Sequence, residues 1–237
     1  RREPEAGADV AGLCAAEPAI QCLGVFRMSR TVPSWLEDPV AIVIGEGEGV
    51  EAVAHELAAA GATIARGPVA ESHAVAAAAI AAASAAARDP VTLLVHAGGP
   101  VSAVSAEKLD LAAWRAGMQA GLDSRFFYAA ELAKSLIAQG LTGSILFLDV
   151  QEGAGGAVQA AAAGALGNLT KTLAVEWARD GIRVNTIASR VVDGGSKEEL
   201  RSLGALASYL VSDFAAYVTG SMTGIGVDDF AAPGATT

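Results

Sequence analysis

Aromatic residues are scarce in this chain, with three Trp, three Tyr and six Phe among 237 residues. So few rings argue against a carbohydrate-binding surface or a β-sandwich, and the abundant alanine favours tightly packed helices. Positive charge is also short: 16 Lys and Arg face 26 Asp and Glu, leaving a net charge of −10 with no basic cluster. A nucleic-acid duplex or an anionic membrane surface would repel such a chain. No window approaches the ~18–20 strongly apolar residues that a membrane-spanning helix needs. Cysteine is limited to Cys14 and Cys22, which read as two reduced thiols, and a cytoplasmic protein is expected. Neither His55 nor His73 has a Cys or His at metal-ligand spacing, so no metal is expected. The run from Val10 to Ala16 is faintly like the apolar part of a signal peptide, but Glu3, Glu5 and Asp9 oppose that reading. The sequence opens on Arg1 rather than Met, which fits a fragment or a processed form of something longer.

The positive signal is a rhythm. Residues 1–38 carry Pro4, Pro18 and Pro33 with no sustained period and read as an extension. From Pro39 short apolar runs alternate with helical stretches. Strands are expected at Val40 to Ile44, Ala62 to Ala65, Val91 to Val95, Ser144 to Leu148, Arg183 to Ala188 and Ser221 to Val227. Helices are expected at Glu51 to Ala60, Ser72 to Ala87, Ala106 to Gln139 (with a break allowed), Gly155 to Arg179 and Lys197 to Leu210. This alternation specifies an α/β fold, a doubly wound parallel sheet of Rossmann-like type with right-handed crossovers. It implies one domain over residues 39–230, with residues 231–237 as a tail.

One stretch is specific: Leu169-Thr-Lys-Thr-Leu-Ala-Val-Glu-Trp-Ala-Arg-Asp-Gly-Ile-Arg-Val-Asn185. With Val95-His-Ala-Gly98, Trp114 and Tyr217-Val-Thr-Gly220, all in order, it resembles the short-chain dehydrogenase/reductase family from about Val40 to Val227. The resemblance implies a Tyr-x-x-x-Lys pair, in which tyrosine is the general acid/base and lysine lowers its pKa and holds the nicotinamide ribose. Counted back from Leu169-Thr170, those positions hold Gln159 and Ala163. An amide does not titrate near neutrality and alanine carries no charge. The family's serine maps onto Val150 beside Asp149, and its helix asparagine onto Gly121. All four positions are therefore replaced, and no catalytic residue is expected.

The resemblance also implies a glycine-rich loop that brings a dinucleotide diphosphate to a helix N-terminus. Here Ile44-Gly-Glu-Gly-Glu-Gly-Val-Glu51 supplies Gly45, Gly47 and Gly49 but runs one residue short, and adds Glu46, Glu48 and Glu51. The expectation is that these acids fill the anion niche; the competing reading lets them splay into solvent with NAD(P) bound. Between Ala65 and Val91 there is room for one helix, where the family places a helix, a strand and another helix, so the adenine side looks incomplete. Arg66 reads as a solvated residue after a strand. The family's Pro-Gly clamp becomes Ser189-Arg190, and its lid shrinks to Val191-Val-Asp-Gly-Gly-Ser196.

These readings lead to a degenerate, non-catalytic member of the family with no cofactor. Its expected partner is an active subunit or tandem domain of that family, met through the long helices and the last strand. The small stretch Ala160 to Gly164, with Gly167, suits close helix approach, although alanine also simply favours helix. Two alternatives stand beside it: an NAD(P)-dependent oxidoreductase with an atypical site using Asp149 or His96, and a metabolite-binding regulator. A lone histidine after a strand, as His96 is, reads as a hydrogen-bonded structural residue.

Overall fold

The computed structural model describes residues 36–99, 104–150, 156–189 and 195–225. Six strands form one parallel sheet: β1 (Val40–Ile44), β2 (Thr63–Gly67), β3 (Val91–His96), β4 (Gly143–Val150), β5 (Ile182–Ser189) and β6 (Met222–Ile225), in the order β2-β1-β3-β4-β5-β6. Helices make the crossovers: α1 (Glu48–Ala59), α2 (His73–Ala87), α3 (Leu111–Met118), α4 (Ser124–Gln139), α5 (Ala157–Glu176) and α6 (Lys197–Val211). The expected α/β class, parallel sheet and element order are all present.

The continuous apolar run of β1 is explained by its place. Its five residues are all buried, because helices cover both faces of the strand. On one face β1, β3 and β4 pack with α2, α4 and α5, through Ile80, Leu132, Leu136, Phe147, Leu166 and neighbours. On the other they meet α1 and α6, through Val53, Leu57, Leu203 and Leu210. Leu36 belongs to this second core, and its N–H donates to Ala60 O at 3.1 Å, so the last residues of the expected extension pack on the domain. Full burial of each such side chain is worth roughly 1.5–3 kcal/mol. Gly204 permits the close approach of α6 to α1: a Cβ there would lie 2.5 Å from Glu56 Cγ and 3.0 Å from Ala52 O.

The family-like stretch is largely structural. Asn185 on β5 donates to Val218 O at 2.8 Å and accepts from Ser221, while the Val184 N–H donates to Thr219 Oγ1. The turn Tyr217-Val-Thr-Gly220 is thereby fastened to β5 just before β6. Thr170 on α5 and Thr186 on β5 share a hydroxyl hydrogen bond of 2.7 Å, tying that helix to the sheet.

Several boundaries differ from expectation. Helix α1 begins at Glu48 rather than Glu51, because Gly47 at φ 109° ends the turn at once. The long stretch from Ala106 is a 3-10 turn (Ala106–Lys108), then α3, then five residues of π-helix (Gln119–Asp123), then α4. Helix α5 ends at Glu176, and Ala178–Asp180 form a 3-10 turn. Between β2 and β3 lies only α2, and among the described residues β2 is an edge strand.

Candidate functional site

In open α/β sheets the ligand crevice lies beyond the carboxyl ends of the strands, where strand order reverses. Here that place is the edge formed by β1, β3 and β4, roofed by the start of α4. Its first boundary is the β1–α1 turn, Gly45 to Gly47, with both glycines at positive φ. A Cβ on Gly45 would come within 2.8 Å of the Ala97 Cβ, so this turn presses on the loop after β3.

The N–H groups of residues 97–99 in that loop are satisfied by the chain itself. The N–H of Ala97 donates to Ile44 O at 2.9 Å, and that of Gly99 to Ala120 O at 2.9 Å. The Gly98 N–H donates to His96 Nδ1 at 2.8 Å. With Nδ1 accepting, the ring proton is on Nε2, 2.9 Å from Ser124 Oγ, which also accepts from the Ala70 N–H. Burial first, and the charge of Arg125 second, hold His96 well below its ordinary pKa, so the ring is neutral. The edge of the Tyr128 ring lies against it, centroids 5.4 Å apart. Burial pushes the Tyr128 phenol up to about 12, and its hydroxyl donates to Pro68 O at 2.8 Å.

Arg125, in the first turn of α4, completes this lining. Its guanidinium donates to Ala97 O at 2.7 Å, to Leu148 O at 2.6 Å and to Gly121 O, with a long contact of 3.5 Å to His96 O. Only 4 % of the residue is exposed, and burial lowers its pKa to about 10 while the nearby charge of Asp149 raises it. Sequence reasoning missed Ser124, Arg125 and Tyr128. The available signal was an arginine set among apolar residues at the start of a helix, Ser124-Arg-Phe-Phe-Tyr128.

The expected positions fall as follows. Gly121 is buried inside the π turn, against which α5 packs. Gln159 and Ala163 lie one turn apart on α5 and are half-buried. Val150 ends β4, and its side chain lies outside the described residues, as do Arg190, 191–194, Cys14 and Cys22. Asp149 is buried on β4. Gly49 is buried in the first turn of α1. Glu46, Glu48 and Glu51 were expected to fill the anion niche, and they are exposed instead. For Glu48 and Glu51 the physical reason is that carboxylates at the first turn of a helix gain from its dipole while keeping their hydration. Glu51 pairs with Arg66 at 2.7 Å, so Arg66 is a β2 residue in an ion pair rather than merely solvated. Among the described residues no cluster of His, Cys, Asp and Glu could hold a metal, and no helix is long and apolar enough to cross a membrane.

Comparison with known proteins now decides the family. Residues 36–203 match the model of the short chain dehydrogenase family. The chain belongs to it. A galactitol 2-dehydrogenase (L-tagatose-forming) from Cereibacter sphaeroides is 28% identical over 208 residues, covering 76% of this chain and 80% of the relative. A probable 2,4-dienoyl-CoA reductase from Bacillus subtilis is 33% identical over 143 residues, or 48% of this chain and 56% of the relative. Two solved structures share the fold. A short-chain type dehydrogenase/reductase from Mycobacterium marinum has a TM-score of 0.71 at 18% identity, covering 81% of this chain and 95% of that one. A short chain dehydrogenase from Mycobacterium smegmatis has a TM-score of 0.73 at 16% identity, covering 83% and 95%. Proteins of this family generally use NAD(P) and are oxidoreductases, and both named relatives are a dehydrogenase or reductase.

Proposed function

We propose that this chain is a non-catalytic short-chain dehydrogenase scaffold that associates with and supports a catalytically competent relative. The observation that carries the reading is the pair Gln159 and Ala163, which stand on α5 where the family's tyrosine and lysine would be. Neither can donate or accept a proton at neutral pH. Three buried titratable groups nearby are already committed. His96 has both ring nitrogens engaged, Tyr128 donates to a carbonyl, and the Arg125 guanidinium is spent on carbonyl oxygens.

The crevice also fits a dinucleotide poorly. The N–H groups of residues 97–99 are all used internally, and among the described residues β2 has no strand beyond it to build an adenine wall. The exposed glutamates contribute less to this than their number suggests, because solvent screens them. Support for a partner comes from the outer surfaces. Leu111, Trp114, Ile137 and Val175 are exposed on α3, α4 and α5, and Tyr217 and Met222 near β6. Scattered apolar side chains are ordinary on a surface, and Val69, Tyr209 and Phe214 are exposed elsewhere, so these residues support a partner only by standing on the elements expected to meet one.

Co-purification from the native source tests the proposal: a related, catalytically complete subunit should travel with the chain. A stable homo-oligomer with no such partner would count heavily against it. A second reading, an NAD(P)-dependent oxidoreductase, is supported more directly by the comparisons, since the named relatives are a dehydrogenase and a reductase. Nicotinamide-dependent turnover by the purified chain would establish it and end the first.

A further inference from the structure

We infer that Arg125 is the chain's own occupant of the carboxyl-edge crevice: its guanidinium ties the ends of β3 and β4 to the π turn, setting the crevice without a nucleotide and barring one from it. The nucleotide half of this inference deepens the non-catalytic reading and rests on it; the tie itself does not.

Taking a guanidinium out of water is costly unless its N–H groups find acceptors in good geometry. Arg125 finds them on three separate pieces of chain. Ala97 O lies just after β3, Leu148 O near the end of β4, and Gly121 O belongs to the π turn. The planar fork spreads its donors over three nitrogens and so reaches acceptors on separate segments, whereas the three donors of a lysine ammonium radiate from one atom. The buried Asp149 offsets the charge, so the tie is not an isolated cation.

The tie also takes up space. A Cβ placed on Gly98 would lie 2.9–3.0 Å from three guanidinium atoms, so the side chain is pressed against the backbone of the loop after β3. Gly98 itself stands at φ 80°, where glycine is favoured. The neighbouring side chains close the remainder: Ser124 reaches the loop after β2 through Ala70, and Tyr128 reaches Pro68. Three nearly consecutive residues of one helix, Ser124, Arg125 and Tyr128, therefore supply from within the contacts that a bound ligand would otherwise make with these strand ends. A π turn commonly accompanies such a local device, because its extra width re-aims the residues that follow.

The test uses the full chain with Arg125→Lys and Arg125→Val variants, each checked for folding by circular dichroism. Hydrogen exchange by mass spectrometry is followed over residues 96–99 and 119–125. In the unaltered chain these amides should exchange no faster than the central strands, with or without NADH. Arg125→Lys should speed exchange there at least tenfold. Wild-type rates in that variant, or fast exchange in the unaltered chain, overturn the tie. Arg125→Val should acquire an NADH-induced rise in melting temperature that the unaltered chain lacks. No rise in a folded Arg125→Val, or an equal rise in both, overturns the barrier. Should Arg125→Val fail to fold, the same melting test on Arg125→Lys decides the barrier, and exchange in the unaltered chain still judges the tie. Nicotinamide turnover by the unaltered chain would sink the non-catalytic reading separately, and the exchange result would stand apart from it.

Discussion

Gly164 lies on the outward face of α5, and a Cβ built on it meets no atom within 4 Å. The domain itself therefore has no steric objection to a side chain there. Alanine should stabilise the isolated chain by about 0.5–1 kcal/mol, because glycine loses more conformational freedom in a helix interior. At ~2–4 °C per kcal/mol for a chain of this size, the melting temperature should rise by about 1–4 °C. Leucine should also leave the fold intact. If this face packs against a partner helix, however, Gly164→Leu overpacks the contact at a cost of ~1–3 kcal/mol. That weakens association by roughly 5- to 150-fold. Gly204 is the internal control, since its missing Cβ would strike Glu56 and Ala52 of α1. Gly204→Ala should destabilise the isolated chain by ~1–3 kcal/mol. Size-exclusion chromatography and thermal melts on the same samples read both quantities. A Gly164→Leu chain that stays fully associated and equally stable would refute the idea that α5 meets a partner through this face.

Restoring Gln159→Tyr together with Ala163→Lys should yield no reductase activity, because groups that act as a unit are not recovered piecemeal; spectrophotometric NADPH oxidation checks it. Converting Glu46, Glu48 and Glu51 to glutamine should improve NADH affinity by less than about tenfold, since exposed charges are screened by solvent and salt; titration by fluorescence measures it. For His96, the folded pKa lies below the unfolded value near 6.5, so the unfolded chain binds a proton that the folded chain refuses. The stability this group contributes is complete above about pH 6.5 and is lost as pH falls, at up to about 1.4 kcal/mol per pH unit. Urea melts between pH 7 and 5 should show that slope, and His96→Asn should flatten it. Ser196→Ala should cost about 1 kcal/mol through loss of the capping box with Glu199, measured by the same melts.

Most of the architecture was legible in the residues. Apolar β-branched runs such as Val40 to Ile44 can be buried on both faces only in a helix-covered parallel sheet, and the single helix between Ala65 and Val91 already announced that a strand was missing. Periodicity is less informative at element ends, where backbone conformation decides. Gly47 at positive φ starts α1 three residues early, and the π turn divides a stretch whose apolar pattern runs through.

Gly121, Gln159 and Ala163 are reached by counting from the family-like stretches, because spacing in a helix or beside a strand is a one-dimensional property. Charge placement could not. Glu46, Glu48 and Glu51 lie close together in the sequence, yet where a carboxylate turns is settled in space: Glu51 pairs with Arg66, a residue of β2. The same holds for Arg125. Its acceptors come from positions 97, 121 and 148, far apart in the chain and gathered only when β3, β4 and α4 assemble. The sequence determined which residues stand at the positions counted for the family's chemistry; the tertiary structure alone decided where Arg125 is held, because a buried cation is placed by carbonyls that no local pattern can bring together.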